Sequence, residues 1–346
     1  MANRLTRIVY PLLELLPEPA AVKLKILALV LLRDYRFLIP SYHAYPHAAK
    51  FADYPPECAD TKFRGLDPES RRIARDYLTR CRNINVLHNL PLPQELFLVH
   101  HTRLREQTIL PPPETRQLRQ ARRRFRLNGG AESLIFHQGV ALLPESVKKR
   151  LSGTDFVDAG AYLGDGTLPL LQYSPRHIFA FEPSRISGQK LLANLNQAAV
   201  PPNKVEWIQA GLAATERSCR FADNGSGDQR LDQPGTEEVP LYRLDDFAIR
   251  RNLRLGLLKA DVEGMGVELL LGALETIRRD RPVLALSIYH TPEEFFRQYA
   301  ILRETIPAYR YRITDLPPGS GFELTLLAWP EESDDTGAAD RSEAHD

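Results

Sequence analysis

The sequence predicts an α/β fold, a doubly wound and mostly parallel sheet preceded by a mainly helical extension. Three observations predict it. From residue 133 onward, short apolar runs alternate with helical patterns, as in parallel strands joined by crossover helices. The last two runs are separated only by LPPGSG (316–321), too short for a crossover, so they must pair antiparallel at a sheet edge. Before residue 130, helical segments are broken by prolines, and no strand alternation is found.

In chain order, the extension offers helices at 4–16, 20–36, 68–82 and 113–127. DPESRRIARDYLTR (67–80) is the clearest: Asp67 stands at the N-cap, Pro68 at the first helical position, and Ile73, Tyr77 and Leu78 on one side. Strands are expected at 155–160, 177–183, 205–214, 255–263, 282–290, 309–316 and 322–330. Helices are expected between them at 165–173, 185–199, 264–280 and 292–306. The chain thus divides into an extension (1–130), a sheet domain (131–330) and an acidic tail (331–346) without apolar periodicity, expected to be disordered. No internal repeat is present.

The net charge of +1 conceals an asymmetry, since residues 1–130 carry 22 Lys and Arg against 12 Asp and Glu. RQLRQARRRFRL (116–127) concentrates six arginines on one helix beside a narrow apolar side. Such a surface suits a phosphorylated or lipid-linked ligand or simply faces solvent; nucleic acid is not expected, because no aromatic stacking platform accompanies the charge. Three cysteines, Cys58, Cys81 and Cys219, lack both the paired spacing of a zinc site and the density of a disulfide framework. Glu14 and Glu18 interrupt the early apolar run, and ILALVLL (26–32) is far shorter than the roughly 20 residues of a membrane span. A cytoplasmic protein without a transmembrane segment is therefore expected.

FVDAGAYLGDGT (156–167) carries the first functional signal, an apolar strand ending at Asp158 and followed by Gly160, Gly164 and Gly166. In an open parallel sheet, ligands sit beyond the carboxyl ends of the strands where the strand order reverses. A dinucleotide turn would need glycine where this chain has Tyr162, which would fill the space of the pyrophosphate. The D-x-G-x-x-x-G spacing suits S-adenosylmethionine (SAM) instead. Gly160 and Ala161 would let the backbone approach the cofactor, Asp158 would orient its amino end directly or through water, and the helix opening at Gly164 would hold its carboxylate. Glu182, 24 positions after Asp158 and followed by Pro183, is placed to accept hydrogen bonds from ribose hydroxyls. Gly211 and Leu212, at the end of the third strand, offer an adenine slot.

Together with RLDDF and LLKADVEGMGVELLLGALETI, these motifs resemble, in order and spacing, the FkbM family of SAM-dependent methyltransferases, from about Leu134 to Trp329. The resemblance implies a Rossmann-like seven-stranded fold and methyl transfer, typically to an oxygen of a sugar, glycan, polyketide or related metabolite. A SAM-fold binding or scaffold protein with little turnover is the alternative. Where family members often carry a glutamate two residues after the glycine of D-V-E-G, this chain has Gly266.

An acceptor hydroxyl must lose a proton, so a base is expected at the ends of the fourth and fifth strands. Asp261 and His290 are the candidates, the first by its family match and the second by its ordinary pKa. Asp261, Glu263, Asp245 and Asp246 offer carboxylate oxygens suited to magnesium, but spacing does not make them converge, and no metal is expected.

Overall fold

The structure is a computed structural model that describes residues 45–88, 112–127, 129–223, 225, 235, 237–316 and 323–331. The helices expected at 4–16 and 20–36, the ILALVLL run and most of the acidic tail lie outside the described residues. The first elements are α1 (Tyr45–Lys50), α2 (Cys58–Lys62), α3 (Pro68–His88), α4 (Pro112–Phe125), α5 (Ala131–Leu134) and α6 (Glu145–Lys149). Then follow β1 (Asp155–Ala159), α7 (Thr167–Leu170), β2 (His177–Phe181), α8 (Arg185–Gln197), β3 (Val205–Ile208), β4 (Gly211–Leu212), β5 (Arg217–Phe221) and β6 (Glu237–Tyr242). The chain continues through α9 (Leu244–Arg250), β7 (Leu255–Ala260), α10 (Gly266–Leu271), α11 (Leu274–Asp280), β8 (Val283–Ser287), α12 (Pro292–Thr305), β9 (Tyr309–Leu316) and β10 (Glu323–Pro330).

Seven strands form the central sheet in the order β3-β2-β1-β7-β8-β10-β9. The first five run parallel, and β10 is antiparallel to both β8 and β9, as the short connection requires. The order reverses between β1 and β7, which opens a crevice beyond their carboxyl ends. β1, β7 and β8 are buried almost throughout on both faces because helices cover both sides.

The third predicted strand is divided: β3 ends at Ile208, and β4 pairs instead with β6 in a small three-stranded sheet that also contains β5. The predicted helix over 264–280 is likewise two helices, α10 and α11, broken at Gly272 and Ala273. A Cβ at Gly272 would lie 2.1 Å from the Ala213 carbonyl oxygen, so the break is where the backbone after β4 meets the helix.

Residues from the extension share the core of the sheet. Ala48, Phe51, Phe63, Tyr77 and Leu78 are buried in the same cluster as Leu258, Leu286, Phe295 and Tyr299. Phe51 and Phe63 meet Phe295 edge to face, with ring centroids 5.5 and 5.2 Å apart. The Asp67 carboxylate caps α3 by accepting from the Ser70 amide (3.0 Å), as its N-cap position predicts. The Ser70 hydroxyl accepts from the Ile313 amide on the edge strand β9 (2.9 Å), which ties the helix to the sheet. Among the described residues, no helix is long and apolar enough to cross a membrane.

Candidate functional site

A cleft of about 230 Å³ opens at the reversal point, between the turn after β1, the end of β2, the start of β4 and the loop after β7. Gly160, Tyr162, Glu182, Pro183, Gly211, Leu212, Asp261 and Glu263 line it. Five of the eight residues expected to bind a cofactor are thereby brought to one wall: Gly160, Glu182, Pro183, Gly211 and Leu212.

Asp158, Ala161 and Gly164 stand behind that wall. Asp158 is fully buried; its carboxylate lies 2.9 Å from Lys259 Nζ and accepts from the Thr167 hydroxyl (2.6 Å). Lys259 also donates to the Gly160 carbonyl (2.8 Å), so the pair holds β1, β7 and the glycine turn together from beneath. Burial opposes the charge on Lys259, and Asp158 and Asp261 outweigh it, holding the ammonium above its ordinary pKa. Asp158 therefore braces the glycine turn from behind and does not itself line the cleft. Ala161 is buried among apolar side chains, and Gly164, at φ +81°, turns toward Leu191 of α8.

Gly160 has φ +77°, and a Cβ there would lie 1.8 Å from the Asp261 carbonyl oxygen. Only glycine lets the two strand ends approach this closely. Glu182 accepts from the amides of Tyr162 (2.8 Å) and Ser184 (2.9 Å), which aims the carboxylate into the cleft and leaves lone pairs for a ligand. Burial raises its pKa to about 7 in spite of these bonds. Trp207 fixes its backbone, donating from Nε1 to the Glu182 carbonyl (2.9 Å).

Much of the cleft is acidic. Glu132, Asp165, Asp261, Glu263 and Glu323 all line it. Burial pushes the Asp165 and Glu323 carboxyls above their ordinary values, and at Glu323 the neighbouring Glu132 and Asp261 push further. Asp261 goes the other way: burial is outweighed by His290 and Lys259, which hold it ionised well below the usual carboxylate range.

His290 is not placed as a base, which corrects the expectation from its ordinary pKa. It is fully buried and absent from the cleft lining. Its Nε2 lies 3.2 Å from Asp261 Oδ1 and 3.3 Å from Glu263 Oε1, while Nδ1 lies 3.0 Å from Glu294 Oε2. Burial opposes the positive charge, but these carboxylates outweigh it and hold the imidazole well above 6.5. Asp261 and Glu263 do converge, on His290; Asp245 and Asp246 do not join them. Asp245 is buried at the start of α9, paired with Arg243 (2.8 Å), and its carboxylate caps α11 by accepting from the Thr276 amide (2.7 Å).

Glu294 was not foreseen. Its place three residues after Thr291 reads as an ordinary capping box, and Thr291 does accept from the Glu294 amide (3.1 Å). The carboxylate, however, accepts from the Gly266 amide (2.7 Å) while holding His290. This also accounts for Gly266: a Cβ there would lie 2.4 Å from Gln298 Nε2 and 2.7 Å from Glu294 Oε1.

Residues 158–313 match the family model described as the Methyltransferase FkbM domain. Over that span, a little under half of its length, the chain is similar to FkbM methyltransferases. Among solved structures, the Methyltransferase FkbM from Methylobacillus flagellatus KT is similar in fold at 16% identity, with a TM-score of 0.50 over 78% of this chain. The match spans 58% of that protein's length. An rRNA methylase from Streptococcus thermophilus matches at 14% identity over 54% of this chain and 92% of its own, with a TM-score of 0.36. The O-methyltransferase TomG from Streptomyces achromogenes, in complex with SAM, matches at 13% identity over 70% of this chain and all (100%) of its own, with a TM-score of 0.38. No curated protein sequence matches the chain. The matched span runs from the carboxylate near the end of β1 into β9, so it contains the glycine turn, Glu182 and the Asp261–His290 cluster, while Glu132 and Glu323 lie outside it.

Proposed function

We propose that this chain is a SAM-dependent methyltransferase acting on a hydroxyl of a small polar molecule such as a sugar, glycan or polyketide. The observation that supports the reading is the Glu182 carboxylate beside a glycine turn that admits no side chain at residue 160, both lining one cleft. A ribose needs a bidentate acceptor and a flat backbone approach, and these two features supply them. Leu212, Pro183 and Gly211 offer the apolar slot for adenine.

When bound, SAM supplies a sulfonium-borne methyl group, whose bond electrons stay on sulfur as a lone pair of the acceptor oxygen forms the new C–O bond. The chain's own residues then have two tasks. Holding the acceptor in line, about 3 to 3.5 Å from the methyl carbon, is the larger one. The second falls to Asp261: its ionised carboxylate accepts the hydrogen bond of the acceptor hydroxyl and receives the proton as the oxygen becomes acidic during bond formation. His290 serves by orienting Asp261 from behind.

The acidic lining favours a neutral, hydroxyl-rich group over a phosphate at the reacting end. A phosphorylated or lipid-linked acceptor would place its charge outside the cleft, toward α4, whose Arg116, Arg119, Arg122, Arg123 and Arg124 are exposed. Leu118 of α4 packs with Leu134 of α5, and Glu132 and Ser133 of the same short helix reach the cleft.

Titration calorimetry with SAM and with its demethylated product tests the cofactor. Binding of neither would overturn the reading. Incubation with labelled SAM and an extract of the source organism would then identify the acceptor; cofactor binding with no labelled product would favour a binding protein without turnover.

A further inference from the structure

We infer that Asp261, Glu263 and His290 form a binding site for a divalent first-row transition-metal ion, open to the cleft where the acceptor hydroxyl would lie. Their ligand atoms lie within 4.8 Å of one another, and they come from the loops after β7 and β8. The spacing is that of ligands sharing an ion. Two donors about 2.1 Å from a metal on adjacent octahedral positions are about 3.0 Å apart, and on a tetrahedron about 3.4 Å. The observed separations from His290 Nε2 to the two carboxylate oxygens, 3.2 and 3.3 Å, fall between these values.

A second observation, outside the three ligands, points the same way. Metal-binding histidines are usually oriented by a carboxylate on the other ring nitrogen, which keeps its proton there while the ion displaces the proton on the ligating nitrogen. Glu294 occupies that position at 3.0 Å from Nδ1, is itself wholly buried, and is locked by the Gly266 amide on its other oxygen. The backbone holds the histidine from outside as well, since Lys50 Nζ donates to the His290 carbonyl (2.8 Å) and the Tyr77 hydroxyl to the Tyr289 carbonyl (2.9 Å). One imidazole and two carboxylates suit Mn²⁺, Fe²⁺ or Zn²⁺ better than an all-oxygen site suits them.

Asp261 and Glu263 both line the cleft, whereas His290 and Glu294 lie behind it. The ion's remaining positions therefore face the cavity, where an acceptor hydroxyl can replace water while the second carboxylate oxygen of Asp261 keeps the role of proton acceptor. The ion would also neutralise part of the acidic lining. The ion site itself stands on this geometry alone; its use in positioning an acceptor rests on the methyltransferase reading.

The test is electron paramagnetic resonance of Mn²⁺ added to the full chain after chelator treatment, without SAM. One tightly held ion per chain should remove the free-ion signal. His290→Gln, Asp261→Asn and Glu263→Gln should each weaken binding at least about tenfold, and Glu294→Gln by about 10- to 100-fold. Circular dichroism identifies any variant that fails to fold; Glu263→Gln, on a partly exposed side chain, tests the site if the buried variants do fail. A free signal unchanged to millimolar Mn²⁺, or equal binding by the folded variants, overturns the inference. SAM calorimetry on the same metal-free protein separates the two readings: SAM binding without Mn²⁺ binding removes the ion site alone, and Mn²⁺ binding without SAM binding removes the cofactor assignment alone.

Discussion

Asp158 and Lys259 lie 2.9 Å apart, both almost wholly buried, in an ion pair sealed beneath the turn that faces the cleft. The pair joins the two strands between which the sheet order reverses, so the crevice and its main internal brace come from the same two positions. Removing one partner leaves the other charge buried without its counterion, which costs about 3–5 kcal/mol. Lys259→Met and Asp158→Ala should each lower the free energy of unfolding by this order in urea denaturation. Asp158→Asn with Lys259→Met together should recover much of the loss. If the double variant were no better than the singles, the pair would not be the source of the effect.

Gly160→Ala should be worse for binding than its size suggests. Its positive φ alone costs about 1–3 kcal/mol for a side-chain-bearing residue. The added methyl would also meet the Asp261 carbonyl at 1.8 Å, which forces the ends of β1 and β7 apart. Calorimetry should find SAM affinity reduced beyond detection in a protein that still melts cooperatively. Normal affinity would show that the close approach has no part in the cofactor site.

Glu182 predicts a pH dependence. Its folded-state pKa is about 7 against 4.5 for the free group, so in the absence of ligand its contribution to stability is lost as pH rises from 4.5 through about 7. Ribose hydroxyls donate to the ionised form and offset that loss. SAM affinity should therefore fall about tenfold for each pH unit below 7 and level off above it, and the melting-point shift on adding SAM should be larger at pH 8 than at pH 6. Glu182→Gln should bind weakly with a flat profile. A sloping profile in that variant would assign the titration to another group.

The sheet, and the gathering of the glycine turn and Glu182 at one cleft, were legible because each rests on local signals. Strand periodicity located the seven central strands, and the glycine turn and Glu182 announce themselves by residue type at strand ends. The small sheet of β4, β5 and β6 was not legible: RSCRF in β5 is largely exposed, and such a strand has no apolar alternation to detect. The surroundings of His290 were not legible for another reason. His290 has the ordinary pKa of a base, but its environment is set by Asp261, Glu263 and Glu294, brought together only by the pairing of β7 with β8 and the turn of α12. Contacts between residues 29 or more positions apart, such as Asp261 with His290, leave no trace in spacing.

The last prediction concerns the extension. Both tryptophans of the chain, Trp207 and Trp329, lie in the central sheet, so fluorescence during unfolding reports on the sheet and not on residues 45–88. Phe63 belongs to that extension, is fully buried, and packs on Phe295, Phe296 and Tyr299 of α12. Phe63→Ala leaves a large cavity at the junction, costing about 3–5 kcal/mol. If the two parts share one core, tryptophan fluorescence should show a single transition moved to lower urea by that amount. Because α12 begins next to His290 and carries Glu294, the same variant should also weaken Mn²⁺ binding. A fluorescence midpoint unchanged by Phe63→Ala would mean that the extension unfolds independently of the sheet it covers.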